Sequence, residues 1–227
     1  MTFQYDYPRP MVTVDILVLR IYSGQLQILF IRRKQDPFAG KWALPGGFVG
    51  MEERLLEAAS RELREETGLS GCQLLPLLQA DEPNRDPRGR TISHVFGTVL
   101  SSPVEVKAGD DAAEVQWFSL DRLPDLAFDH DDIVKRGLQE LRYQVLFKLD
   151  LLKFLNEKFS RQELEELCLA IFDQAGVSSI ILEMALNMKL IQKQGKEFSR
   201  KEAGDMGSRQ ADFALLSGVW LSKKLSR

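Results

Sequence analysis

The sequence predicts an α/β fold with a mixed sheet, followed by a smaller unit of winged-helix type. Three observations carry that expectation. Apolar residues alternate along several short runs, one long glycine-free helical pattern interrupts them, and the pattern after Asp150 turns helical before a short hairpin. The chain has 227 residues, enough for one large domain or two unequal ones. The expected division is residues 1–147 and residues 151–227.

Val12, Val14, Ile16 and Val18 alternate with other residues, and after Ser23-Gly24 comes the β-rich run Leu26 to Ile31, so a hairpin opens the chain. A loop from Lys34 to Lys41, with Pro37 and Gly40, leads into Trp42-Ala43-Leu44-Pro45-Gly46-Gly47. Glu52 to Thr67 lacks Gly and Pro and reads as a helix that Gly68 stops. Gln73–Gln79, Thr91–Leu100 and Glu114–Phe118 read as strands, and Asp131–Phe147 as a closing helix. Ser160 and Glu163 form a capping-box signature ahead of a helix that Gly176 ends, and Ser179 can cap a second helix through Leu190. Leu190 to Phe198, turning at Gly195, reads as a hairpin, with Phe213–Leu216 as its extension past the loop Ala203–Gly207. Two short helices and a wing fit a winged helix; a helical cap or dimerisation appendage is the other reading.

Composition narrows the function classes. With 44% hydrophobic and 28% charged residues and no apolar stretch near the roughly 18 residues of a membrane span, a membrane protein is excluded. The N-terminal residues Met1 to Pro10 show no basic start followed by an apolar run, so the expected location is cytoplasmic. Cys72 and Cys168 are too few for a disulfide framework or a cysteine zinc site and are expected to be inert thiols. From Lys189 onward there are 9 Lys+Arg and 4 Asp+Glu, a net charge of +5, so any polyanion-binding surface belongs there; a solvated basic tail is the bland alternative.

The chemistry sits in one motif. Gly47 is followed by five residues, Glu53, seven residues, and then Arg61-Glu62-Leu63-Arg64-Glu65-Glu66-Thr67-Gly68-Leu69. At roughly 7% per specified residue a chance match is far below ~10⁻⁶. On a helix at about 100° per residue, Glu62, Glu65 and Glu66 border the stripe formed by Leu55, Leu56, Ala59 and Leu63. Three acids within one turn repel one another, a cost that a hard divalent cation with oxygen ligands reverses. A surface acidic helix would explain Glu52 and Glu57 but not the Gly47, Arg61 and Gly68 spacing.

This motif resembles the signature of the Nudix hydrolases, GX5EX7REUXEEXGU with U aliphatic, at every defined position. The resemblance implies an α/β/α sandwich and Mg²⁺- or Mn²⁺-dependent cleavage of a nucleoside diphosphate linked to another moiety. It further implies that Glu62, Glu65 and Glu66 are metal ligands together with the Gly46 carbonyl, and that Glu53 and Arg61 support them. The base that activates water often lies outside the motif in this family; Glu114 is a candidate, with packing as its other reading.

Val12-Thr13-Val14-Asp15, the run Pro37 to Val49, Asp86-Pro87-Arg88-Gly89-Arg90, Ala108 to Glu114 and Leu126-Ala127-Phe128-Asp129-His130-Asp131 resemble one branch of that superfamily. That branch holds ADP-ribose pyrophosphatases and Nudix-related transcriptional regulators of NAD metabolism, which bind ADP-ribose and carry a C-terminal winged helix. Expected ligand contacts are Arg85, Arg88 and Arg90 toward phosphates and Tyr5 (with Phe3 and Tyr7) toward the adenine, with Phe128 as a further substrate contact. A surface-charged loop and strand-edge packing are the alternatives. His94 reads as structural; His130 and Asp129 match the branch pattern, with a helix N-cap by Asp129 as the simpler reading.

The leading expectation is a Mg²⁺-dependent pyrophosphohydrolase that splits ADP-ribose, or a close nucleoside diphosphate sugar, into AMP and a sugar phosphate, working as a homodimer. The competing one is an ADP-ribose-sensing DNA-binding regulator. A third is an active enzyme whose winged helix serves as an interaction module. The expected reading helix, Val177–Leu190, offers only Asn187 and Lys189 beside Glu183, which favours hydrolysis.

Overall fold

The computed structural model describes residues 6–22, 25–100, 104–109, 112–148, 152, 155–172 and 176–200. Strands β1 (Met11–Tyr22) and β2 (Gln25–Arg33) form the expected antiparallel hairpin, pairing Leu19 with Ile28 through Tyr22 with Gln25. The expected strand at Glu114 is β7 (Ala112–Ser119), which extends the sheet beyond β2. On its other edge β1 runs parallel to β6 (Thr91–Leu100) over ten residue pairs, and β5 (Leu75–Ala80) is antiparallel to β6. The sheet is therefore mixed.

The edge of β1 that faces β2 is divided, and this division builds the site. Past Leu19 it pairs with β2, whereas Thr13, Val14 and Asp15 pair with Phe48, Gly47 and Gly46 of the short strand β4 (Gly46–Phe48). A second two-residue strand, β3 (Trp42–Ala43), adds to β2. The Trp42–Phe48 segment thus lies across the gap where β1 and β2 diverge.

Helices cover both faces of the sheet. On one side Val14, Ile16 and Val18 pack against Ala58, Ala59 and Leu63 of α1 (Leu55–Thr67), all of them buried. On the other, Leu17 meets α2 (His130–Lys148) at Gly137, where an added Cβ would come within 2.7 Å of Leu17 Cδ2. Alternation along β1 assigns neighbouring residues to opposite layers, giving the α/β/α order. The first helix starts at Leu55, not Glu52. Glu57 accepts a hydrogen bond from the Arg54 N–H at 2.9 Å, while Glu53 turns away to other partners. Gly68 closes the helix at φ 75°, its N–H bonded to the Arg64 carbonyl.

The chain divides into two compact units at Gln139/Glu140, within α2. In the second unit β8 (Lys158–Ser160), α3 (Arg161–Phe172), α4 (Val177–Asn187), β9 (Ile191–Gln194) and β10 (Glu197–Arg200) follow in order. The strands form a sheet ordered β8-β10-β9, with Phe159 stacked on Phe198 at 5.9 Å. The capping box is present: the Glu163 N–H donates to Ser160 Oγ, and the Ser160 N–H donates to the Glu163 carboxylate. One boundary differs from expectation: Gly176, at φ 91°, stands at the start of the second helix, and Ser179 lies inside that helix and accepts a hydrogen bond from Arg161. The expected Phe213–Leu216 strand lies outside the described residues. No helix among the described residues is long and apolar enough to cross a membrane.

Candidate active site

Backbone geometry at Gly46-Gly47 brings the acids of α1 to the sheet edge. An added Cβ at Gly46 would fall 2.1 Å from the Val14 carbonyl oxygen, and one at Gly47 would fall 2.4 Å from Glu62 Oε1. At Gly46 only glycine allows β4 to lie this close to the β1 backbone, and at Gly47 the missing Cβ leaves room for the Glu62 carboxylate. Glu66, 7% exposed, accepts a hydrogen bond from the Gly46 N–H at 2.8 Å. Residues twenty apart in sequence are tied at the point where strand and helix meet.

Arg61 organises the remaining acids. Its guanidinium makes a two-pronged contact with Glu53 (2.7 and 3.0 Å) and reaches Glu62 at 2.8 Å, Glu65 at 3.0 Å and the Phe48 carbonyl at 3.0 Å. The hydrogen bonds from Arg61, with one from the Gly50 N–H, hold the Glu53 carboxyl down to about 2. Burial pushes Glu62 the other way, above the usual carboxylate range, with Arg61 opposing and Glu65 and Glu53 adding to it. The expected trio is split by these contacts. Glu65 is half exposed and turned to Arg61, and among the described residues no three His, Cys, Asp or Glu side chains converge closely enough to hold an ion by themselves.

Glu62 and Glu66, with Gly46 and Gly47, line a cavity of about 320 Å³, within the range of small-molecule sites. Its walls also carry Arg33, Arg88, Phe48 and Phe128. Arg88 is held by Asp86 through bonds of 2.8 to 3.2 Å and lies over the Phe48 ring at 4.9 Å and the Phe128 ring at 5.5 Å. Arg33 lies over Phe128 at 4.9 Å. Phe128 has φ 55°, a backbone region that bulky side chains rarely occupy and that is costly unless the surroundings hold it.

The other expected contacts divide. Arg85 lines the cavity, but its side chain is 4% exposed and spent on Asp129 at 2.8 and 3.0 Å, with Asp15 at 3.6 Å. It is a buried ion-paired group, not a phosphate arm. Arg90 donates to the Asp81 carbonyl and is not among the cavity-lining residues. Tyr5 and Phe3 lie outside the described residues, and Tyr7 is exposed. Glu114, paired with Arg32 at 3.5 Å, is also not among the lining residues. Burial raises the pKa of the Cys72 thiol and pushes that of Cys168 up to about 12, which disfavours the reactive thiolate at both.

Sequence reasoning missed the depth of His130 and Asp15. His130 is 4% exposed, and burial lowers its pKa, favouring the uncharged ring. The Leu44 N–H donates to its Nδ1 at 2.9 Å, and Nε2 lies 3.5 Å from the Asp15 carboxylate. Asp15 also accepts from the Ser93 hydroxyl. Asp129 stands at the N-cap position of α2, its carbonyl accepting the Ile133 N–H, while its carboxylate binds Arg85. Only the recurrence of Asp15, Asp86, Asp129 and His130 within the branch-like segments pointed to this arrangement.

Known proteins resemble this chain in sequence and fold. The family model for the NUDIX domain matches residues 11–137. An ADP-ribose pyrophosphatase of Methanocaldococcus jannaschii is 46% identical over 129 residues, covering 57% of this chain and 73% of the relative. The ADPR responsive transcriptional repressor NtrR of Acinetobacter baylyi is 31% identical over 166 residues, 71% of this chain and 66% of the repressor. A crystal structure of a MutT/nudix family protein from Enterococcus faecalis superposes with a TM-score of 0.75 at 27% identity, over 88% of this chain and 90% of that one. With glycine turn, acidic helix and mixed sheet all inside a match that spans more than half of its residues, the chain belongs to the NUDIX domain family.

Proposed function

We propose that this protein is a divalent-metal-dependent hydrolase that cleaves ADP-ribose, or a related nucleoside diphosphate sugar, to AMP and a sugar phosphate. The observation that carries the reading is a single cavity walled by Glu62 and Glu66 at Gly46 and by Arg33 and Arg88 around Phe128. Acids and guanidiniums sharing one small cavity suit a ligand that brings a cation and a diphosphate together. The M. jannaschii relative supports the choice of substrate.

The residues fit a metal of the Mg²⁺ or Mn²⁺ type. Such ions commonly take one or two carboxylates and fill their remaining positions with water and phosphate oxygens. Glu62 is a carboxylate whose charge is disfavoured by burial and by acidic neighbours, a state that a cation relieves. Glu62, Glu66 and the Gly46 carbonyl would hold the ion, which when bound neutralises charge on the diphosphate and lowers the pKa of water. Glu65 and Glu53 are assigned to fixing Arg61. In the reaction a water oxygen adds to one phosphorus and gives up a proton to solvent, the P–O–P bridge breaks, and the departing phosphate oxygen keeps the bonding electrons. Arg88 and Arg33 would hold the non-bridging oxygens, and Phe128 a planar base.

A second reading, an ADP-ribose-responsive DNA-binding regulator, is favoured by the repressor relative and by the net charge of +5 from Lys189 onward. On that reading residues 1–147 sense the ligand, and residues 151–227 form a winged helix that grips phosphates through Lys193, Lys196 and Arg200. The exposed face of α4 argues for hydrolysis: it presents Ser179, Glu183, Leu186 and Asn187, not a basic row. Release of AMP from ADP-ribose with Mg²⁺ tests the first reading, and Glu66→Gln is expected to lower kcat by at least about 10²-fold, the scale of losing a group that acts on developing charge. Unchanged turnover in that variant would remove the metal assignment.

A further inference from the structure

His130 sits 86 residues from Leu44 in sequence, and its Nδ1 accepts the Leu44 backbone N–H at 2.9 Å. A ring nitrogen that accepts carries no proton, so the other nitrogen, Nε2, bears the hydrogen. Nε2 faces Asp15, whose two carboxylate oxygens are divided among Ser93, Arg85 and His130. Arg85 is in turn held by Asp129, the residue before His130. Four chain segments besides its own therefore fix one imidazole in one tautomer and one orientation. The imidazole acts on the backbone two residues before Gly46, while Glu66 accepts from the Gly46 N–H and the Ile16 N–H donates to the Pro45 carbonyl at 2.8 Å.

We propose that His130 is a positioning residue for the metal-binding turn: by holding the Leu44 amide it fixes the Ala43–Leu44 peptide two residues ahead of Gly46, and with it the path of the backbone into the Gly46–Gly47 peptide that carries the Gly46 carbonyl. This rests on the reading of Gly46, Glu62 and Glu66 as the ion's ligands. The buried chain Asp15–Arg85–Asp129 then serves to keep His130 in its accepting tautomer, which explains why Arg85 is ion-paired and withheld from the ligand. Groups that orient a ligand atom from one step away typically contribute 10–100-fold in metal affinity.

The test is Mn²⁺ binding followed by electron paramagnetic resonance on the full chain, without substrate. His130→Asn keeps an acceptor for the Leu44 N–H and is expected to bind Mn²⁺ within about 3-fold of the parent; His130→Phe fills the space without an acceptor and is expected to bind at least about 10-fold more weakly. Equal binding by His130→Phe and the parent, in protein where Glu66→Gln abolishes binding, overturns the inference and leaves the metal site standing. Binding untouched by Glu66→Gln overturns the metal site itself. Because His130→Phe can fail to fold, nitrogen-15 NMR of the parent gives an independent reading: a protonated Nε2 and bare Nδ1 are required, and a protonated Nδ1 contradicts the proposal.

Discussion

Gly47 and Glu62 show how one hydrogen atom in place of a methyl group shapes the site. The Cβ of Gly47→Ala would fall 2.4 Å from the end of the Glu62 side chain, and a carboxylate can move where a backbone cannot. The variant should therefore fold with a melting temperature near that of the parent and lose activity at least about 10-fold, checked by calorimetry alongside AMP release; a displaced reacting group readily costs that much. Glu53 gives a second prediction. Its folded pKa is depressed from 4.5 to about 2, so the Arg61 pair contributes stability that is present above about pH 4.5 and lost as pH falls toward 2. Acid denaturation should show Glu53→Gln less stable than the parent at pH 6 and the two converging near pH 2. At this scale the sequence was informative where residues act locally, as at Gly47, Glu53 and Arg61, whose spacing is a property of one turn and one helix. It was uninformative at Arg85, which reads as a loop cation because its burial depends on Asp15 and Asp129, far away in sequence.

Elements are positioned by backbone closure as much as by side chains. The C-terminal carbonyls of α1 at Glu66 and Thr67 accept from the Gly109 and Lys107 N–H groups at 3.2 and 3.0 Å, so a loop from elsewhere in the chain completes the helix that carries the acids. A Cβ on Gly109 would lie 1.6 Å from the Glu65 carbonyl oxygen, a backbone atom that cannot step aside. Gly109→Ala should thus destabilise the protein by about 1–3 kcal/mol, the range for forcing atoms into a packed contact, read from urea unfolding. The strands and helices of the first unit were legible from alternation and from glycine stops. The start of α1 was displaced because Glu53, a good helix former, is drawn to the Gly50 N–H at 2.6 Å. Strand β8 escaped notice because three residues carry no periodicity, and its pairing with β10 joins Phe159 to Phe198 across the two intervening helices.

For the whole molecule, the acid-bearing helix, the glycine turn and the arginine-bearing loops converge because β1 shares one edge between two partners. The motif identified the acids from sequence; the guanidinium wall, with Arg33 at the end of β2, required the fold. The central claim is that a divalent ion and a diphosphate occupy this one cavity together. Phosphorus-31 relaxation of α,β-methylene ADP-ribose bound in the presence of Mn²⁺ tests it most directly, since paramagnetic broadening falls steeply with distance. Strong broadening of both phosphorus resonances by the parent, lost in Glu66→Gln, is the predicted result. Binding of analogue and Mn²⁺ by the parent without mutual broadening would contradict the account.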